Sequence, residues 1–153
     1  MIHARAPLVA ALALLFAAPA AADEPPGWPV GLYGSVRMSE QTGDLGGLEL
    51  RFFAEGGKPI VEAVLCEGWC NTSYIAPLER TAEGFAFRYF ERYESGAGPS
   101  EEAVRITLKP VRSGFLATLT TESDPENRLW EEASKLKGLK QPFGLAVVNN
   151  AKK

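Results

Sequence analysis

Apolar and polar residues alternate along most of this chain in short runs, and glycine-rich turns separate the runs. Leu48, Leu50 and Phe52 alternate with Glu49 and Arg51, the period-two signature of a strand with one buried face. Val104, Ile106 and Leu108 alternate with Arg105, Thr107 and Lys109, and Phe115, Ala117 and Leu119 with Thr118 and Thr120. The aromatic run from Phe85 to Tyr93 sets Phe85, Phe87, Tyr89 and Tyr93 on one face and Arg88 and Arg92 on the other. Strict alternation places Glu91 on the aromatic side. Leu32 to Met38 predicts a first strand. Ser73 to Leu78, with Tyr74, Ala76 and Leu78 on one side, predicts another. Ile60 to Cys66 is apolar on both faces apart from Glu62, as in a central strand covered from two sides. Gly43 to Gly47, Glu55-Gly56-Gly57-Lys58, Ser95 to Glu101 and Ser113-Gly114 are the expected connections.

One helix is predicted, over 123–138. Ser123 offers a capping side chain, Pro125 suits the first turn, and Glu126 completes a capping box. Leu129, Ala133 and Leu136 repeat at helical spacing with Trp130 beside them. Lys135 and Lys137 complement the helix end, and Gly138 stops it. Phe143, Leu145 and Val147 then suggest a closing strand. Together these elements predict a mainly β domain over 30–148: an antiparallel β-barrel or strongly curved sheet of about 7–8 strands with one C-terminal helix. Residues 23–29 form an extended, proline-rich lead-in, and 149–153 a tail. A barrel of that size is either packed solid or holds one small ligand.

The start of the chain follows another rule. Arg5 precedes an apolar run from Leu8 to Ala18, and Pro19-Ala20-Ala21-Ala22 leads into Asp23-Glu24. That is the pattern of a signal peptide over 1–22 with an A-x-A cleavage site. The run is well short of the ~20 residues that span a bilayer, so no transmembrane anchor is expected. The remaining 131 residues suit one domain. Without Arg5, fifteen basic residues face nineteen acidic ones, a net charge of −4. This mild acidity disfavours a nucleic-acid partner, which calls for a basic patch. Export points to the periplasm or to secretion, where Cys66 and Cys70 are expected to form a disulfide. Its short loop limits the entropic stabilisation to about 2 kcal/mol, so it shapes a hairpin around Glu67-Gly68-Trp69.

The chemistry available is narrow. His3 is the only histidine and falls in the leader, which removes Ser/His/Asp and Cys/His nucleophile systems. No metal site and no cofactor are implied, because the thiols are assigned to the disulfide and no phosphate-cradling glycine loop opens a helix. Paired carboxylates can run glycosidic hydrolysis, although nineteen acidic residues make coincidental pairs easy to draw. Three residues are candidates for ligand binding: Trp69, Tyr89 and Glu91. Trp69 is either a surface anchor for a partner or a lid on the core. Glu91 either orients a ligand in a cavity or sits at the strand's wet end or beside a bulge. Arg88, Arg92, Arg105 and Lys109 form an outward basic ladder. Facing lipid, Arg88 and Arg92 would be out of place in an outer-membrane barrel.

The order of apolar strand, Cys66-Glu67-Gly68-Trp69-Cys70 hairpin and aromatic strand resembles small exported lipocalin-like (calycin-like) β-barrel domains of bacteria, over Leu32 to Tyr93. One departure is that Gly31 is followed by Leu32-Tyr33, where lipocalins carry Gly-x-Trp. The resemblance implies a barrel that binds a small apolar ligand or a protein, and transfers no residue role. The expected function is an exported, non-enzymatic binding module of the cell envelope, recognising an envelope protein or a small apolar ligand. The alternative is a small carboxylate-dependent periplasmic hydrolase.

Overall fold

A computed structural model of the chain describes residues 27–126 and 135–151. The strands are β1 (Gly31–Gly34), β2 (Arg37–Met38), β3 (Leu45–Glu55), β4 (Lys58–Gly68), β5 (Ser73–Pro77) and β6 (Glu79–Arg80). They continue with β7 (Phe85–Ser95), β8 (Gly98–Val111), β9 (Gly114–Thr121) and β10 (Lys135–Leu139), and a helix, α1 (Gly144–Ala151), follows. All pairings are antiparallel, and β10 returns to pair with β1. The sheet runs β5-β4-β3-β1-β10-β9-β8-β7-β6, with β2 also on β3, so most strands lie beside a neighbour in sequence and β1 meets β10 where the chain's two halves join. One stretch of chain carries both ends of this order: β5 pairs with β4, and after Leu78 the chain continues as β6 and pairs with β7. Leu78 anchors the crossing by donating its N–H to the Pro59 carbonyl at 3.0 Å. The result is a nearly closed up-and-down barrel.

Alternation explains why the sheet curls. Leu48, Leu50 and Phe52 on β3, Val61 and Ala63 on β4, and Phe85, Phe87 and Tyr89 on β7 point inward. So do Val104, Ile106 and Leu108 on β8, Phe115, Ala117 and Leu119 on β9, and Leu136 on β10, all in one buried cluster. One end of the barrel is filled by rings. Phe115 meets Tyr33 at 4.9 Å, Phe52 at 5.6 Å and Phe85 at 6.3 Å between centroids. Trp28 lies on Phe85, and the Arg80 guanidinium covers Trp28 at 4.7 Å. Here the barrel is solid.

A second cluster lies on the outer wall, where Leu145 and Val148 of α1 pack on Leu45, Val64, Cys66 and Cys70. The approach is close: a Cβ on Gly144 would stand 3.0 Å from Val64 and 3.2 Å from the Cys66 sulfur. Glu49, outward on β3 and fully buried, receives the first turn of the helix. Phe143 N–H donates to its carboxylate at 3.0 Å, Gly144 N–H at 3.0 Å and Leu145 N–H at 3.3 Å. A carboxylate at this position satisfies free N–H groups and complements the positive end of the helix.

Several expectations change. The helix predicted over 123–138 is not what Lys135, Leu136, Lys137 and Gly138 form; they lie in β10, with Leu136 inward. Leu129, Trp130 and Ala133 lie outside the described residues. Of the expected closing strand at Phe143, Leu145 and Val147, Phe143 instead leads into α1 and Leu145 and Val147 lie within it, and the helix extends through Ala151 into the expected tail. Gly144, Ala146 and Val148 interleave with those residues, so the run is continuously small or apolar and its period does not separate helix from strand. The first strand breaks at Ser35-Val36 into β1 and β2. The loop expected over Ser95 to Glu101 shrinks to Gly96-Ala97, because β7 and β8 run past their neighbours as a polar ribbon with Arg92 opposite Glu101. A ribbon wet on both faces needs no apolar alternation. The β8–β9 turn is Arg112-Ser113, one residue earlier than expected. Strand β4 is covered on its outer face only at Val64 and Cys66, while Glu62 is buried by its ion pair with Arg51.

Candidate functional site

The end of the barrel opposite the ring-filled one is built by the Cys hairpin and the middle of β7. Gly68, with φ +76°, turns the chain, and Glu67 N–H donates to the Trp69 carbonyl at 3.1 Å. Cys66 and Cys70 are joined by a disulfide and both are buried, on the side of the hairpin that faces α1. Trp69 is thereby held at the rim, 50 % exposed. Inward positions on β4 continue from Val61 and Ala63 through Leu65, the next being Glu67. On β7 the inward row passes from Phe87 through Tyr89 to Glu91.

These rows converge on a pocket of about 240 Å³ lined by Leu65, Glu67, Trp69, Asn71, Thr72, Tyr74, Glu91 and Arg92. Tyr74 of β5 stacks on Tyr89 with centroids 4.2 Å apart, so the two rings form a floor across the β5–β7 seam. Trp69 and Glu91 share the pocket; Tyr89 does not line it and adjoins it through its stacking on Tyr74. The β7–β8 register continues without a bulge through Glu91, which stands directly opposite Glu102. Like charges in that relation repel.

The electrostatics follow. Burial, then Glu67 and Glu102, raise the Glu91 carboxyl above its ordinary range. Burial, then Glu91, Tyr74 and Glu67, push the Tyr89 phenol well up. Burial and Glu91 raise Tyr74 as well. Tyr89 is 5 % exposed, and its hydroxyl has no hydrogen-bond partner among the described residues. Glu102 accepts a hydrogen bond from the Ser123 hydroxyl. Arg92 lines the pocket but gives its Nε–H to Glu101 at 2.7 Å. No described cation neutralises Glu91.

The outward basic ladder is largely neutralised. Arg88 pairs with Glu122 at 2.6 Å, Arg92 with Glu101, and Arg105 with Glu79 at 3.8 Å. Glu67 also borders a larger, more open groove of about 810 Å³, where Arg37, Asp44, Lys135 and Lys137 mix both signs. Among the described residues no group of three or more His, Cys, Asp or Glu is placed to hold a metal ion. No helix among them is long and apolar enough to cross a membrane.

Sequence reasoning missed Glu67, Tyr74 and Glu102 as members of this site. Tyr74 and Glu67 were within reach of the alternation rule on β5 and β4. Glu102 was not, because its place depends on the register between β7 and β8. No protein-family model, no curated protein and no solved structure matches this chain. Its class rests on its own geometry: a nearly closed antiparallel barrel with one solid end and a tyrosine-floored acidic mouth.

Proposed function

We propose that the chain is an exported, non-enzymatic binding module whose site is the mouth of the barrel. The observation that carries this reading is the Tyr89 hydroxyl, buried and unpartnered on a ring that stacks against Tyr74 of the pocket wall. A polar group left in that state destabilises a fold by about 1–3 kcal/mol, and local violations of this kind gather at functional sites. The occupant is small, because the pocket measures about 240 Å³ and the far end of the barrel is filled by rings. It is a small molecule, or one side chain of a partner inserted past Trp69. Export is supported by the leader pattern of Met1 to Ala22 and by a disulfide of the kind oxidising compartments maintain. The up-and-down order agrees with the likeness to lipocalin-like barrels, and the likeness is offered in that sense only.

Native mass spectrometry of protein purified from its own cell envelope tests the reading. A ligand that is retained by the native protein and lost in the Tyr89→Phe variant is the expected result. A bare polypeptide, together with no perturbation of Tyr74, Tyr89 or Trp69 signals in a fragment screen by NMR, overturns it. One observation favours a carboxylate-dependent hydrolase as a second reading: Glu91 is raised beside other carboxylates, the environment of a general acid. Turnover of a glycoside that is abolished by Glu91→Gln would decide for that enzyme.

A further inference from the structure

We infer that α1 is a releasable cover over the Cys66–Cys70 bridge, which makes the bridge a gated redox switch at the base of the hairpin that carries Trp69. The device lies on the outer wall of the barrel and operates whatever the mouth binds.

The sulfurs are hidden in an otherwise open hairpin. Glu67, Gly68 and Trp69 are exposed, and so is Asn71 after them, whereas Cys66 and Cys70 are 0 % and 1 % exposed. Strand β4 turns the bridge to the outer wall, where both cysteines join Leu45, Val64, Leu145 and Val148 in one apolar cluster. The helix backbone lies directly on the bridge, since a Cβ on Gly144 would stand 3.2 Å from the Cys66 sulfur. Thiol–disulfide exchange requires a thiolate to reach one of the sulfurs, so access sets its rate. Here α1 denies that access.

The cover is lightly held. The helix has eight residues, and an isolated helix needs about 12–15 to persist in water, so an undocked α1 also melts. It buries Gly144, Leu145 and Val148 against the barrel. It carries no acidic residue in its first turn and no basic residue in its last. The free N–H groups at its start are met instead by Glu49 of β3, which accepts from Phe143, Gly144 and Leu145. Lifting α1 breaks no strand pairing, so it costs far less than opening the barrel, as in a local unit of low stability.

With α1 lifted, a dithiol reductant completes the exchange. One of its thiolates attacks the Cys66 or Cys70 sulfur, the S–S bond breaks, and the other cysteine leaves as a thiolate. The reductant's second thiolate then attacks the mixed disulfide, releases the remaining cysteine and closes the reductant's own disulfide. Two electrons pass from the dithiol to the bridge, and the two cysteine thiolates take up the protons that the dithiol has lost. Reduction opens the ring that holds Trp69 at the rim, while the ladder between β3 and β4 stays in place. The state of the wall thereby reaches the edge of the mouth.

Reduction by dithiothreitol under native conditions, read by alkylation and mass spectrometry, tests the cover. Leu145→Ala removes the largest side chain that α1 buries and is expected to speed reduction roughly tenfold or more, with amide exchange at Val147 and Val148 rising by the same factor. Phe87→Ala, inside the barrel, lowers global stability without touching α1 and is expected to leave the rate unchanged. Urea below the unfolding transition makes the same distinction in the unsubstituted protein. Local release exposes little surface, so the rate should be nearly flat in urea. A rate that climbs with the full slope of global unfolding, that rises more in Phe87→Ala than in Leu145→Ala, or that Leu145→Ala leaves unchanged overturns the inference. Reduction as fast as that of a short exposed disulfide peptide also overturns it, because α1 would then cover nothing. The reduced barrel is expected to stay folded with a shifted Trp69 indole NMR signal. An unmoved Trp69 signal, or unfolding on reduction, overturns the switch.

Discussion

Replacing Tyr89 with phenylalanine removes one oxygen and leaves the ring where it is, stacked on Tyr74 at 4.2 Å and beside Phe87 at 6.5 Å. The lost atom makes no hydrogen bond within the described residues, and the residue is 5 % exposed. An unsatisfied buried hydroxyl carries a desolvation penalty of about 1–3 kcal/mol, so Tyr89→Phe is expected to stabilise the free protein by about 1–2 kcal/mol. At roughly 2 cal/mol/K of unfolding entropy per residue, a domain of this size gains about 4 °C in Tm for each kcal/mol. Urea unfolding followed by tryptophan fluorescence measures the change as a shifted midpoint at constant slope. Tyr74→Phe is the control, since Tyr74 is only partly buried, and its change should stay within about 0.5 kcal/mol. Stabilisation accompanied by loss of the retained ligand is the signature of a group retained for function. A loss of about 1 kcal/mol or more in Tyr89→Phe would refute the reasoning, because the hydroxyl would then have to be satisfied within the fold.

The other expectations concern the core, the helix and pH. Phe87→Ala should destabilise by about 3–5 kcal/mol, since Phe87 is fully buried inside the barrel; a change under about 1 kcal/mol in urea midpoints would contradict the inward assignment of the β7 face. Glu49→Ala should cost about 2 kcal/mol or more and speed hydrogen exchange at Gly144 and Leu145, because it removes the acceptor of the first-turn N–H groups; unchanged exchange there would show the helix docking without it. Glu91 is raised in the folded state, so its stabilising contribution is complete below the unfolded pKa and is lost as pH climbs through the folded one. Glu91→Gln should therefore match the parent in acid and exceed it in stability near neutrality, and parallel stability–pH curves would argue against the acidic mouth.

Legibility in the sequence followed solvent. Where a strand has one wet face, as at Leu48-Glu49-Leu50-Arg51-Phe52 or Phe85 to Arg88, alternation displays the inward row directly. Tyr89 and Glu91 stood out in the same way, one step further along. The reading failed where other forces decide. Leu136 has helical spacing to Leu129, yet Lys135 to Leu139 form the strand that joins β9 to β1. Leu145 and Val148 sit in an apolar run with no dominant period, and they form a helix that docks on Glu49 and the disulfide. The polar stretch from Ser95 to Glu101 looks like loop, although cross-strand pairs such as Arg92–Glu101 extend the ladder through it. Glu102 joins the mouth through register alone, a long-range property that no local window contains.

The segment 73–80 has one more consequence. An open sheet ends in two rows of unpaired backbone groups, each a template for another chain. Here the two terminal strands, β5 and β6, are consecutive stretches of a single segment, β5 paired with β4 and β6 with β7. One short piece of chain thus lies along the longer edges of both β4 and β7. A cut or a proline within Tyr74 to Arg80 would uncover both together, and self-association of the opened sheet, more than loss of the mouth, would be the first thing to follow.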